Sequence, residues 1–243
     1  MSLGKKVDRY AAFGLGLATF GGPFAVYSFY VLLSVPLTAL GLSFVVLGLT
    51  AVLIPETPVP AGSIRAMVEG ACVNVEALLE EFDAKERAVY LPPRDGRVYA
   101  YVPLKGPLRP GDLALVVEAP LRVVTEVRGE PGLMIFPPGS EAVRLAALDE
   151  EVELKEAISY VLVDFLEAVE SAQAMKSGGR WIVQIKNPRV GTEYPRFAKV
   201  LGSLPTSIAG CVSSQVLGKP VVFVGEETEG DSTTATFEVQ GDG

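Results

Sequence analysis

Between Arg180 and Lys199 stand five cations, Arg180, Lys186, Arg189, Arg196 and Lys199, against one acid, Glu193, so this stretch carries +4. The residues after Pro55 carry 18 Lys plus Arg and 28 Asp plus Glu, −10, so a basic segment in their midst asks for a cause. It leads into Leu204-Pro205-Thr206-Ser207, a proline and two hydroxyls where a helix is expected to start. Free backbone N–H groups and the helix dipole at such a start favour an anion. Lys186, Arg189, Arg196, Thr206 and Ser207 are therefore the candidate ligand-binding residues, for an anionic lipid head group or a phosphorylated small molecule. The competing reading is a set of solvated cations paired with the acidic remainder.

Other chemistry is narrowed by what the chain lacks. There is no histidine, which removes Ser-His-Asp and Cys-His nucleophile activation, imidazole metal ligation and a histidine pH switch. Cys72 and Cys211 are the only cysteines, each on the apolar side of an expected helix, and read as small core residues. A disulfide between them remains open if the source is a hyperthermophile, as two Asn, four Gln and proline-rich loops suggest. Glu80, Glu81 and Asp83, and Asp149, Glu150, Glu151 and Glu153, cluster at expected helix ends and read as solvated charge, not as metal ligands. Ser207, Ser213 and Ser214 have no base beside them in sequence. No catalytic residue, metal or cofactor is assigned, and an acidic domain without basic-aromatic interleaving is not expected to bind nucleic acid.

The segments that must position these residues begin with a run free of charge from Tyr10 to Pro55, 46 residues. One membrane crossing needs about 20 residues, so two fit. A turn at Gly21-Gly22-Pro23 would leave arms of unequal length; a turn around Tyr30 to Ser34 gives arms from Arg9 to Phe29 and from Val35 to Ile54, each near bilayer thickness. Gly21-Gly22-Pro23 then reads as a kink inside the first helix. A signal peptide is the alternative for the first segment, but no cleavage site follows it and a second span does. Lys5, Lys6 and Arg9 place the N-terminus in the cytoplasm, and two crossings return the rest of the chain to that side of the cell membrane. Gly14, Ala18 and Gly22 form a stripe of small residues suited to a tight hairpin or to self-association. "GLGLATFGG" follows a basic tail and no strand, so it is not read as a dinucleotide loop.

Residues 1–8 thus form a basic tail, 9–54 a two-helix transmembrane hairpin, 55–63 a proline-rich stalk and 64–243 a single soluble α+β domain with a mixed sheet. Within the domain the apolar spacing gives a helix from Ile64 to about Asp83 and a second long one from Glu151 to about Ala174, with Phe82 and Phe165 among their buried residues. "RAVYLPPRDGRVYAYVPL" reads as a hairpin, and Leu113 to Val117, Leu121 to Val127 and Gly132 to Phe136 as strands. "RWIVQIKNP" reads as a strand covered on both faces. Helical stretches follow at Pro195 to Leu201 and Pro205 to Leu217, and a hairpin closes the chain.

The span "LLSVPLTALGLSFVVLGLTAVLIPETP", the pair "YLPPRDGRVYAYVPL", "GLMIFPPGSE" and "LPTSIAGCVSSQVLGKPVVF" together resemble a group of uncharacterised archaeal membrane-anchored proteins. The resemblance implies a short membrane hairpin followed by a soluble domain and supplies no catalytic residues. Two functional classes stand: a non-catalytic module held at the bilayer to bind or scaffold, or a histidine-independent membrane-surface enzyme or phosphorylated-ligand-binding protein. The first is favoured because no convergent set of titratable residues can be read from the sequence.

Overall fold

The computed structural model describes residues 9–53, 61–148, 151–189 and 194–240, and the chain divides into two compact units, Met1–Ala61 and Gly62–Gly243. The first unit is two helices, α1 (Arg9–Tyr30) and α2 (Val35–Leu53). The chain turns after Tyr30, through Leu33 in a left-handed conformation, while Pro23 lies inside α1. Small residues bring the two helices into backbone contact. A Cβ on Gly14 would lie 2.6 Å from the Gly48 carbonyl oxygen, one on Gly21 2.8 Å from that of Gly41, and one on Gly48 2.6 Å from the Ala18 nitrogen. Gly22, expected in this seam, faces open space instead; α1 presents Gly14, Ala18, Gly21 and Ala25 to α2. The spacing of four used to select Gly22 overshoots, because 3.6 residues per turn moves the seam to Gly21.

The second unit is α+β, and all eight of its strands join one antiparallel sheet. The mixed sheet expected from sequence is corrected by the pairing, which is antiparallel at every ladder. In chain order come α3 (Ala61–Glu81), β1 (Val89–Tyr90), β2 (Ala100–Pro103), α4 (Leu113–Glu118), β3 (Val124–Val127), β4 (Glu130–Ile135), α5 (Pro138–Ala146) and α6 (Leu154–Ser159). The chain continues through β5 (Ser171–Ser177), β6 (Arg180–Lys186), α7 (Pro195–Leu201), α8 (Leu204–Leu217), β7 (Val221–Glu229) and β8 (Ser232–Val239). The strand order is β3-β4-β2-β1-β7-β8-β6-β5. Two-residue turns with both residues at positive φ join neighbouring segments at Asp95-Gly96, Arg128-Gly129 and Gly178-Gly179, the handedness that matches strand twist.

Several expectations are overturned here. The long helix from Glu151 stops early: α6 passes into a π-helical turn over Tyr160–Phe165, Glu167 adopts φ +48, and Ser171 already belongs to β5. Gly178-Gly179 closes β5 onto β6 in unbroken register from Ser171↔Lys186 to Ser177↔Arg180, and this ladder overrides the helical spacing. Leu113 to Val117 is helix, not strand, burying Leu113 and Val116 three residues apart. β6 is interior but covered on one face: Val183 and Ile185 are buried while Arg180 and Lys186 are exposed. Phe82 and Phe165 remain 38 % and 39 % exposed, outside the core. The stalk assigned to 55–63 overlaps α3, which begins at Ala61, and its residues 55–60 lie outside the described part, as do the 1–8 tail, Asp149, Glu150 and Glu193.

α8 is the central helix of the main core. Its Gly210 lies against the Tyr90 ring, where a Cβ would come within 2.4 Å, so a side chain there would push α8 off β1. The Tyr90 hydroxyl donates to the Leu201 carbonyl at 2.7 Å and shares a 3.0 Å hydrogen bond with Ser207 Oγ. Burial holds its phenol in the neutral form and pushes its pKa well up. The opposite sheet face carries a thinner layer, in which Leu113 and Val116 of α4 pack with Val89, Leu91, Tyr101 and Met134.

Candidate functional site

The five residues singled out as an anion site do not share a set of partners. Lys186 is exposed at the end of β6, opposite Ser171 and Ser232. Arg189 lies 3.7 Å from the Glu167 carboxylate. Arg196 is paired with Asp83 at 2.9 Å and donates to the Ala84 carbonyl. Thr206 and Ser207 are fully buried, Thr206 Oγ1 against Ser203 Oγ at 3.0 Å and Ser207 against Tyr90. Their hydroxyls serve the packing of α8, and Arg196 fastens the end of α3.

The helix starts do attract anions, but the protein supplies its own. Glu76, 8 % exposed on α3, accepts from the backbone N–H groups of Arg196 (3.0 Å) and Phe197 at the start of α7. At α8 the carboxylate of Glu226 accepts from the Ser203 N–H at 2.8 Å. A bulge between Phe223 and Gly225 shifts the β7 register so that Glu226 pairs with buried Ala235 and turns to the helix face. Both orphaned sets of N–H groups thereby gain a charged acceptor. Sequence spacing could not show this, since Glu76 lies 120 residues from its partner Arg196.

Unclaimed space lies elsewhere, on the α4 face of the sheet. A half-open groove of about 410 Å³ is lined by Val89, Val222, Leu108 and Leu113 together with the charged residues Lys85, Glu86 and Arg87. Beyond Leu113 and Gln240 it adjoins a second hollow of about 470 Å³, whose lining includes Pro92, Ala114, Val117 and Pro220. Lys85 is held by Asp83, whose carboxyl is drawn below its ordinary value by hydrogen bonds from Lys85 and Arg196. Arg87 has no hydrogen-bond or ion-pair partner among the described residues. Its Nη2 lies where a Cβ on Gly225 would come within 3.2 Å, so the bare glycine backbone makes room for the guanidinium. Among the described residues no group of three His, Cys, Asp or Glu could hold a metal ion. Burial raises the Cys72 thiol to about 11 and pushes Cys211 higher still; both are free.

Residues 6–238 match a family model described as Domain of unknown function (DUF7982). The chain belongs to this family. The match runs through both compact units, so the helical hairpin and the α+β domain are parts of one DUF7982 architecture. Comparisons with curated proteins and with solved structures give no match. The groove of this DUF7982 member was missed in the sequence because its walls come from residues 85–89, 107–113, 222–224 and 240, with no common spacing.

Proposed function

We propose that this protein is a cell-membrane module in which α1 and α2 cross the bilayer as a hairpin and hold the α+β domain on the cytoplasmic side, where it binds or scaffolds and does not catalyse. The observation that carries the anchor is the surface of the hairpin. Both helices are long and apolar enough to cross a membrane, at 22 and 19 residues, and Phe13, Phe20, Val26, Val46 and Leu47 are each about 60 % exposed. Such a surface belongs in hydrocarbon and not in water. The hydroxyls of Thr19, Thr38, Ser43 and Thr50 bond to carbonyls four residues back, which suits a medium without water. A third apolar stretch, Pro195–Leu217, is broken at Gly202 and lies within the core of the second unit.

Binding is preferred to catalysis because the groove offers two cations, one carboxylate and apolar walls but no nucleophile beside a base. Extraction of membranes with alkaline carbonate tests the anchor. The full chain is expected in the pellet; release into the supernatant would remove the hairpin reading.

A further inference from the structure

We propose that the groove on the α4 face binds one anionic amphiphile, with a phosphate or carboxylate on Arg87 and Lys85 and its apolar chain running past Leu113 toward Ala114 and Val117. The proposal rests on the binding-module reading above and names the ligand class of that site.

The asymmetry of the lining carries it. Lys85, Glu86 and Arg87 line the first hollow only, two cations to one carboxylate, while the second, reached over Leu113 and Gln240, has walls of glycine, proline, alanine, valine and leucine with Glu118 as its single charged residue. A ligand that fills both must be charged at one end and apolar along the rest. The first hollow alone falls within the size range of small-molecule sites. Its cationic end also runs against the balance of the domain. Residues 85–128, the stretch that supplies most of the groove's lining, hold eight Lys or Arg against five Asp or Glu in a unit that is otherwise strongly acidic. Lys85 already neutralises Asp83, whereas Arg87 is uncommitted among the described residues, and its planar fork suits two oxygens of one anion. The bulge at Phe223/Gly225 serves the same end, since it sets a glycine under the guanidinium.

The same chemistry is offered by a bilayer lipid and by a free single-chain amphiphile, and the experiment separates them. The full chain, released from non-ionic maltoside micelles, is examined by native mass spectrometry after incubation with dodecyl phosphate, inorganic phosphate or a phosphatidic acid. Dodecyl phosphate is expected to give a one-to-one adduct and inorganic phosphate none. Arg87→Glu should lower the adduct at least tenfold and Arg87→Lys should retain part of it. Ala114→Trp, at an exposed position that fills the tail end, should reduce it without touching the cations. A phosphatidic acid adduct with the same Arg87 dependence would make the bilayer the source, and an adduct with dodecyl phosphate alone would make it a free amphiphile. No wild-type adduct, or equal adducts in wild type, Arg87→Glu and Ala114→Trp, would overturn the proposal. Carbonate extraction of the same variants reports on the anchor separately, so a chain that stays in the membrane but binds nothing defeats the groove alone.

Discussion

Glu76 shows what a single residue can settle. A carboxylate on α3 takes two N–H groups from the first turn of α7, so one side chain ties the beginning of the domain to a helix more than a hundred residues later. Glu76→Ala leaves those donors buried and unpaired and is expected to cost about 1–3 kcal/mol in urea unfolding, with Glu76→Gln costing less. Arg196, at the same turn, pairs with Asp83. Because the folded-state pKa of Asp83 is depressed, this contribution is present above its unfolded value near 3.8 and fades as pH falls through the lower folded value. Asp83→Asn should remove that part of the acid dependence, and only slightly, since the carboxyl is exposed. Cys72, raised to about 11, should react with a thiol reagent at pH 8 at about a hundredth of the unfolded rate, rising as pH approaches 11. Rapid labelling of the native chain would place Cys72 outside the core. Arg196 and Ser207 were visible in the sequence as unusual, but their partners were not, because Asp83, Glu76 and Tyr90 come from distant segments.

At the scale of elements, spacing and turn chemistry disagree at identifiable places, and the turn prevails. The hairpin helices, α3, α8 and the closing β7–β8 pair were legible because each has a long periodic run with a clear stop. β5 was not, since "SAQAMKS" follows a helical pattern directly and only the Gly178-Gly179 turn, with its two positive φ values, commits it to pairing. α4 was misread for the opposite reason: a five-residue apolar run, Leu113 to Val117, has no period to judge. The close approaches of elements predict their own sensitivity. Gly139 of α5 meets the Ile208 backbone of α8, where a Cβ would lie 2.8 Å from its Cα, so Gly139→Ala is expected to lower stability by about 1–3 kcal/mol. In the hairpin, Gly48→Leu should separate α1 from α2 and lower the resistance of the isolated pair to SDS. Phe82→Ala and Phe165→Ala, at partly exposed positions, should cost far less in urea unfolding than Phe197→Ala or Phe237→Ala, which are expected to cost about 3–5 kcal/mol. Equal losses in all four would contradict the packing described.

For the whole molecule, the two units follow different physical rules. The Gly62–Gly243 unit buries Tyr90, Phe197, Phe223 and Phe237 almost completely and exposes others, such as Phe82 and Phe165, only in part, while the helices of the other unit leave Phe13, Phe20, Phe29 and Tyr30 more than half exposed. This contrast is explained if one unit lives in water and the other in lipid. The soluble expectation for residues 62–243 is therefore a single cooperative urea transition in the absence of membrane, and a broad, non-cooperative one would show that the hairpin completes its core. The division was plain from the 46 uncharged residues, whereas the groove was hidden, because its walls are assembled only when β1, β7 and the segment before α4 meet. The most direct test of the account uses epitope tags at both ends of the full chain in right-side-out and inverted membrane vesicles. A two-span hairpin with a cytoplasmic domain predicts that both tags are reached by antibody only in inverted vesicles; tags found on opposite sides, or both reached in right-side-out vesicles, would contradict it.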